Sequence, residues 1–174
     1  MYVPSFFDVK YNDDGTIKKI VPLRERYSSI KKRIVTDINT LPLPARPVVP
    51  FPQIVHDHLT VEINRGCARG CRFCQAGMIY RPCRERPPEE ILTAVDGLIR
   101  NCGYEELSLV SLNSSDYQEI EGIVKTIAQR YQGKHLSLSL PSLRLDTFSV
   151  ELADSLPVGA HWRANSPISG KSTS

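Results

Sequence analysis

LTVEINRGCARGCRFC, residues 59–74, runs from an alternating apolar stretch straight into three cysteines within eight residues. Leu59, Val61 and Ile63 interleave with Thr60 and Glu62, the period of a strand with one apolar face. Cys67, Cys71 and Cys74 follow at once, and no ordinary packing need sets three thiols so close together. They read as a ligand set. A cubane 4Fe-4S cluster has four irons, and stable electron-transfer clusters take a thiolate on each. Three thiolates would leave one iron open.

Working outward, strand and helix patterns alternate, which argues for parallel βα units because each return to a parallel strand needs a crossover. Beyond the cysteines, Pro88 suits a helix start, with Glu89 and Glu90 favourable in the first turn. Ile91, Leu92, Val95, Leu98 and Ile99 form an apolar stripe that Gly103 can end. A second strand is expected near Leu107–Leu112. Ser115 and Gln118 have capping-box spacing for a second helix carrying Ile120, Ile123, Val124 and Ile127, stopped at Gly133. LSLSL, residues 136–140, is the third strand, and Asp146 could cap a third short helix running to Leu156. The strands alternate where a sheet covered on both faces would be uniformly apolar, so one face is expected to be polar. That face is either the lumen of a barrel that holds ligands or the wet side of an antiparallel sheet.

Upstream, FFDVKY and TIKKIV flank the turn NDDG, which predicts a hairpin over residues 6–21. A basic stretch and then Pro42, Pro44, Pro47, Pro50 and Pro52 describe a stiff extended connector. The expected organisation is a hairpin and proline-rich linker over 1–55, a βα domain over 56–156, and an unpatterned tail over 157–174, read as a non-native end. At 41% hydrophobic and 24% charged, the 174 residues match globular rather than disordered composition. No apolar run approaches the roughly 18 residues of a membrane span, and the amino terminus does not read as a signal peptide. A soluble cytoplasmic protein with no membrane partner is the expectation. The five cysteines are odd in number and clustered, which favours a metal site over a disulfide framework.

The spacing C-x3-C-x2-C, with Phe73 before the third cysteine, resembles the signature of the radical S-adenosylmethionine (SAM) enzymes. The wider string EINRGCARGCRFCQAGMIYRPCRERPPEEI, then GYEELSLVSLNSSDY and LSLPSLRLD, resembles the group in which a cobalamin-binding-like domain precedes the radical domain. The resemblance implies an α/β fold, a partial (βα) barrel of which this chain carries about three units. It implies a 4Fe-4S cluster on Cys67, Cys71 and Cys74, SAM on the open iron, and a 5′-deoxyadenosyl radical. An electron-donor protein is implied as a partner, and cobalamin-assisted methyl transfer is one outcome in a full-length form. SAM contacts are implied at Ser114, Ser115 and Asp116, after the second strand, and at Ser139, Ser142 and Arg144, on and after the third. Phe73 would shield the cluster or pack in the core. Ser115 would equally serve as a helix cap, and Arg144 as a surface arginine.

From Arg65 to Arg86 six arginines face one acid, Glu85. They would stabilise an anionic cluster and the SAM carboxylate, or form a solvated loop, or meet an anionic substrate such as RNA. Cys83 leaves a different class open: with the other three it could close a four-thiolate zinc site in a nucleic-acid-binding module. Its eight-residue gap from Cys74 is unlike paired zinc knuckles. Cys102 reads as a small core residue. A half barrel would have an unpaired strand edge, so a catalytically inactive fragment that only binds the cluster is a further reading.

Overall fold

In a computed structural model the described residues are 2–52 and 57–144. The chain forms two compact units, residues 1–35 and 36–174. In the first, β1 (Phe7–Tyr11) and β2 (Ile17–Pro22) form the expected antiparallel hairpin, with an irregularity between Lys10 and Tyr11. Its turn closes through Asn12, whose N–H donates to the Thr16 carbonyl at 2.8 Å, and Gly15 takes a left-handed φ of 81°.

The second unit is a three-stranded parallel sheet with helices on its apolar face. Its strands are β3 (Leu59–Glu62), β6 (Glu106–Val110) and β7 (Ser137–Ser139), adjacent in that order. Between β3 and β6 lie a short ladder of β4 (Asn64–Arg65) with β5 (Arg84–Glu85), the one-turn helix α1 (Ala76–Ile79) and the long helix α2 (Pro88–Cys102). Helix α3 (Ile120–Arg130) connects β6 to β7. Pro88 opens α2, Glu89 and Glu90 sit in its first turn, and Gly103 ends it at φ 69° with its N–H on the Ile99 carbonyl.

Period-two alternation decides which face is covered. Leu59, Val61, Ile63, Leu107, Leu109, Leu138 and Leu140 are buried in one core with Ile91, Val95 and Leu98 of α2 and Ile120, Ile123, Val124 and Ile127 of α3. Cys102 packs against this core, as its reading as an apolar filler requires. On the alternate positions Thr60 is exposed and Glu62 half-buried, so the polar face is real and belongs to a parallel sheet. The fold is therefore mixed α/β with parallel strands.

Two expectations move. The second strand ends at Val110, two residues early, and α3 starts at Ile120 with Glu119 at the cap and no capping side chain. Ser115 is thus not the helix cap. It lies in a separate turn, Ser114–Asp116, whose side chains are engaged elsewhere. The proline-rich stretch is also partly docked: Ile38 is buried, Leu43 packs on the core, and Asn101 Nδ2 donates to the Ala45 carbonyl at 2.8 Å. Asp146, the expected third helix and the tail lie outside the described residues. No helix among the described residues is long and apolar enough to cross a membrane.

Ile123 is 1% exposed at the centre of this core, so Ile123→Ala should cost about 2–5 kcal/mol of stability in urea denaturation. Tyr117 is buried and its hydroxyl donates to the Arg86 carbonyl at 2.7 Å. Burial, reinforced by Glu85, Glu119 and Glu89, pushes its pKa up to about 12. The folded state then favours the neutral phenol, while an unfolded tyrosine ionises near pH 10. Stability should be complete below pH 10 and fall as the pH rises toward 12. Tyr131, also pushed up to about 12 by burial and by Asp96, acts in the same window. Tyr117→Phe should flatten the decline without abolishing it, as read from denaturation midpoints across alkaline pH.

Candidate metal and cofactor site

The cysteine loop leaves the C-terminal end of β3, the end of a parallel strand where βα folds gather their sites. All three thiols are half-buried, and Cys74 N–H donates to the Cys71 carbonyl at 3.0 Å in a tight turn. Gly66 begins the loop at φ 97°, where a Cβ would stand 2.5 Å from the Tyr80 carbonyl oxygen and 2.6 Å from that of Pro82. Only glycine allows that backbone approach. It brings the Arg81–Cys83 stretch before β5 against the loop, with Cys83 Sγ 3.7 Å from the Gly66 carbonyl.

Two guanidinium groups tie the loop to the sheet. Arg69, between the first two cysteines, donates through Nε and Nη2 to both carboxylate oxygens of Asp116, at 2.6 and 2.5 Å. Arg144 donates from Nη1 to Cys71 Sγ at 3.2 Å, and its backbone N–H donates to Ser115 Oγ at 3.2 Å. Ser115 in turn donates to Asn113 Oδ1 at 2.8 Å. Asp116, Ser115 and Arg144 thus meet the cysteine loop. Ser114 is fully buried, its hydroxyl shared with Ser111 and the Leu109 carbonyl, and its N–H donates to the Ser142 carbonyl at 2.7 Å. Ser139 is buried on β7 in register with Ser108. Phe73 is 78% exposed, so the core-packing alternative for it fails.

A cavity of about 660 Å³ opens between the loop and the Asn113–Glu121 segment. Cys67, Arg69, Cys83, Glu85, Ser115 and Asp116 line it, together with buried Asn64 and Asn113. Asn64 Oδ1 and Asn113 Nδ2 are buried without hydrogen-bond partners. Burial raises the Cys83 thiol above its ordinary pKa, and Glu85 and Cys67 push the same way. Burial likewise raises Glu85.

The basic stretch is not an open patch. Arg65 pairs with Glu62 at 2.6 Å, Arg69 with Asp116, and buried Arg86 faces Glu90 at 3.6 Å. Arg81 and Arg84 donate to the carbonyls of Gly77 and Pro82. Sequence reasoning treated these arginines as a block and missed the individual role of Arg69, because its acid lies 47 residues away. Position between two candidate ligands was the available signal.

Among the described residues no three His, Cys, Asp or Glu side chains are already gathered at metal-holding distance. The donor set nonetheless fits an iron-sulfur cluster: three thiols in one loop, a backbone cradle at Gly66, and a guanidinium N–H on one sulfur.

Asp116→Asn should lower global stability by no more than about 1 kcal/mol, because the Arg69 pair is partly exposed. It should nonetheless raise amide hydrogen exchange across residues 67–74, read by mass spectrometry. Equal protection in both proteins would count against the clamp.

The Radical SAM superfamily model matches residues 61–157, more than half of the chain. An uncharacterized protein of Methanocaldococcus jannaschii, MJ0966, is 33% identical over 92 residues, covering 53% of this chain and 20% of that protein. The ribosomal protein uS12 methylthiotransferase RimO of Salinispora arenicola is 41% identical over 58 residues, 33% of this chain and 11% of that enzyme. The chain therefore spans about a fifth or less of the curated relatives it matches. With a thiol-bearing loop at the end of the first parallel strand and a family match across the whole βα region, the chain belongs to the radical SAM superfamily.

Proposed function

We propose that this chain carries the cluster- and SAM-binding part of a radical SAM enzyme built as a partial (βα) barrel. The observation that carries the reading is the cysteine loop at the strand C-terminal end, with Arg144 reaching back from beyond the third strand to Cys71. Cys67, Cys71 and Cys74 would hold the cluster and leave one iron for the amino and carboxylate groups of SAM. The chemistry the bound group would supply is one-electron reduction of the SAM sulfonium by the reduced cluster, the electron coming from the donor partner, with the bond between sulfur and the 5′ carbon broken to leave methionine and a 5′-deoxyadenosyl radical that abstracts hydrogen. This chain's residues orient and shield. Arg69 and Asp116 fix the loop, and Gly66 lets the Arg81–Cys83 stretch approach one side of it.

By the family resemblance, the groups that meet SAM come from Ser114–Asp116 and from Ser139, Ser142 and Arg144. The first of these stretches is joined to the second by the hydrogen bond from Ser114 N–H to the Ser142 carbonyl. Phe73, exposed on the loop, would cover the cluster from solvent. The thiolates suit a reducing, cytoplasmic compartment and an electron-donor protein as partner. Methylthio transfer is the activity named for RimO; no residue of this chain identifies its own acceptor. Hydrogen abstraction and cobalamin-assisted methyl transfer are the two reactions open to a longer form that carries a cobalamin-binding-like domain.

Anaerobic reconstitution with iron and sulfide should give about four irons per chain and a reduced-state EPR signal that changes with SAM. Cys71→Ala should lose the cluster, while Cys83→Ser should keep it. Stoichiometric zinc that survives reconstitution and falls away in Cys83→Ser would replace this reading with a four-thiolate structural site.

A further inference from the structure

Arg144 is anchored before it reaches the loop. Its N–H is held by Ser115 Oγ at 3.2 Å, and two residues earlier the Ser142 carbonyl accepts Ser114 N–H at 2.7 Å. Both contacts fall on the turn Ser114–Asp116, the turn whose Asp116 clamps Arg69. Cys71 is therefore steadied along two routes that share one support. Arg69 acts through the chain two residues before it, and Arg144 acts directly on its sulfur at 3.2 Å. The arginines of the Arg65–Arg86 stretch are turned mainly to carboxylates and loop carbonyls. The guanidinium set on a candidate ligand sulfur comes from outside that stretch.

We infer that Arg144 is a positioning residue that orients the Cys71 sulfur and, through its N–H···S hydrogen bond, makes the iron-sulfur centre easier to reduce. This inference rests on the cluster assignment above. One-electron reduction adds one negative charge, shared among the iron and its sulfur ligands. A cationic donor fixed on a ligating sulfur stabilises the reduced form more than the oxidised one and so raises the potential. Arg144 is half-buried, which limits screening of the effect by water. A lysine would keep the charge and lose the planar fork that aims it.

The test uses the full chain, anaerobically reconstituted, as wild type, Arg144→Lys and Arg144→Gln. EPR-monitored dithionite titration without SAM gives the midpoint potential, and spectral titration gives the SAM dissociation constant. The expected result is about four irons in each protein and, in the absence of SAM, a midpoint shifted negative in Arg144→Gln with Arg144→Lys between, whatever the change in SAM affinity. An unchanged midpoint in Arg144→Gln overturns the inference. If the midpoint is unchanged and SAM affinity falls by more than about tenfold, Arg144 is instead a SAM carboxylate ligand. If Arg144→Gln fails to load iron, Arg144→Lys decides: a wild-type midpoint there overturns the inference, and a negative shift supports it. A wild type that takes up no cluster sinks the cluster assignment and the inference together, whereas a loaded wild type with an unshifted variant sinks the inference alone.

Discussion

Burial of one face of the parallel sheet is the constraint from which the rest of this molecule follows. Leu59, Val61, Leu107, Leu109 and Leu138 can leave water only if α2 and α3 lie on the same side. That requirement fixes the crossovers, and the crossovers set the three strands in the order β3, β6, β7 with their C-terminal ends together. The cysteine loop, the Ser114–Asp116 turn and Arg144 all issue from those ends. A site whose contacts reach across 73 positions of the chain is therefore a by-product of how the core is closed.

The loop itself has little apolar surface to hold it, with Phe73, Met78, Ile79 and Tyr80 all exposed. Directional contacts take over that task. The two-pronged Arg69–Asp116 pair, the Gly66 cradle and the Arg144–Cys71 contact each restrain a different part of it. Polar restraints of this kind add modestly to global stability because partly exposed ion pairs lose strength to water. Their effect is on local geometry, which is what a ligand set needs.

Much of the fold could be read from pattern. The hairpin, the two long helices with Pro88 and Gly103 at the ends of the first, and the three alternating strands depend on periods and turn residues contained within short windows. The misjudged element was the start of α3. Ser115 and Gln118 have the right spacing for a cap, but Ser115 is held by Asn113 and Arg144, Asp116 by Arg69, and Tyr117 by Arg86. Three long-range contacts and one local one outweigh the cap, and no short window of sequence contains the long-range three.

By itself the sequence determined the family, the candidate ligand thiols and the element order, because each rests on residues close along the chain. Tertiary structure alone decided that most of the loop arginines are engaged by carboxylates and carbonyls, that Phe73 faces solvent, and that Arg144 lies on a cysteine sulfur. The physical reason is that charge pairing and exposure depend on which groups the packed core brings within about 3 Å, a distance that separation along the chain does not encode.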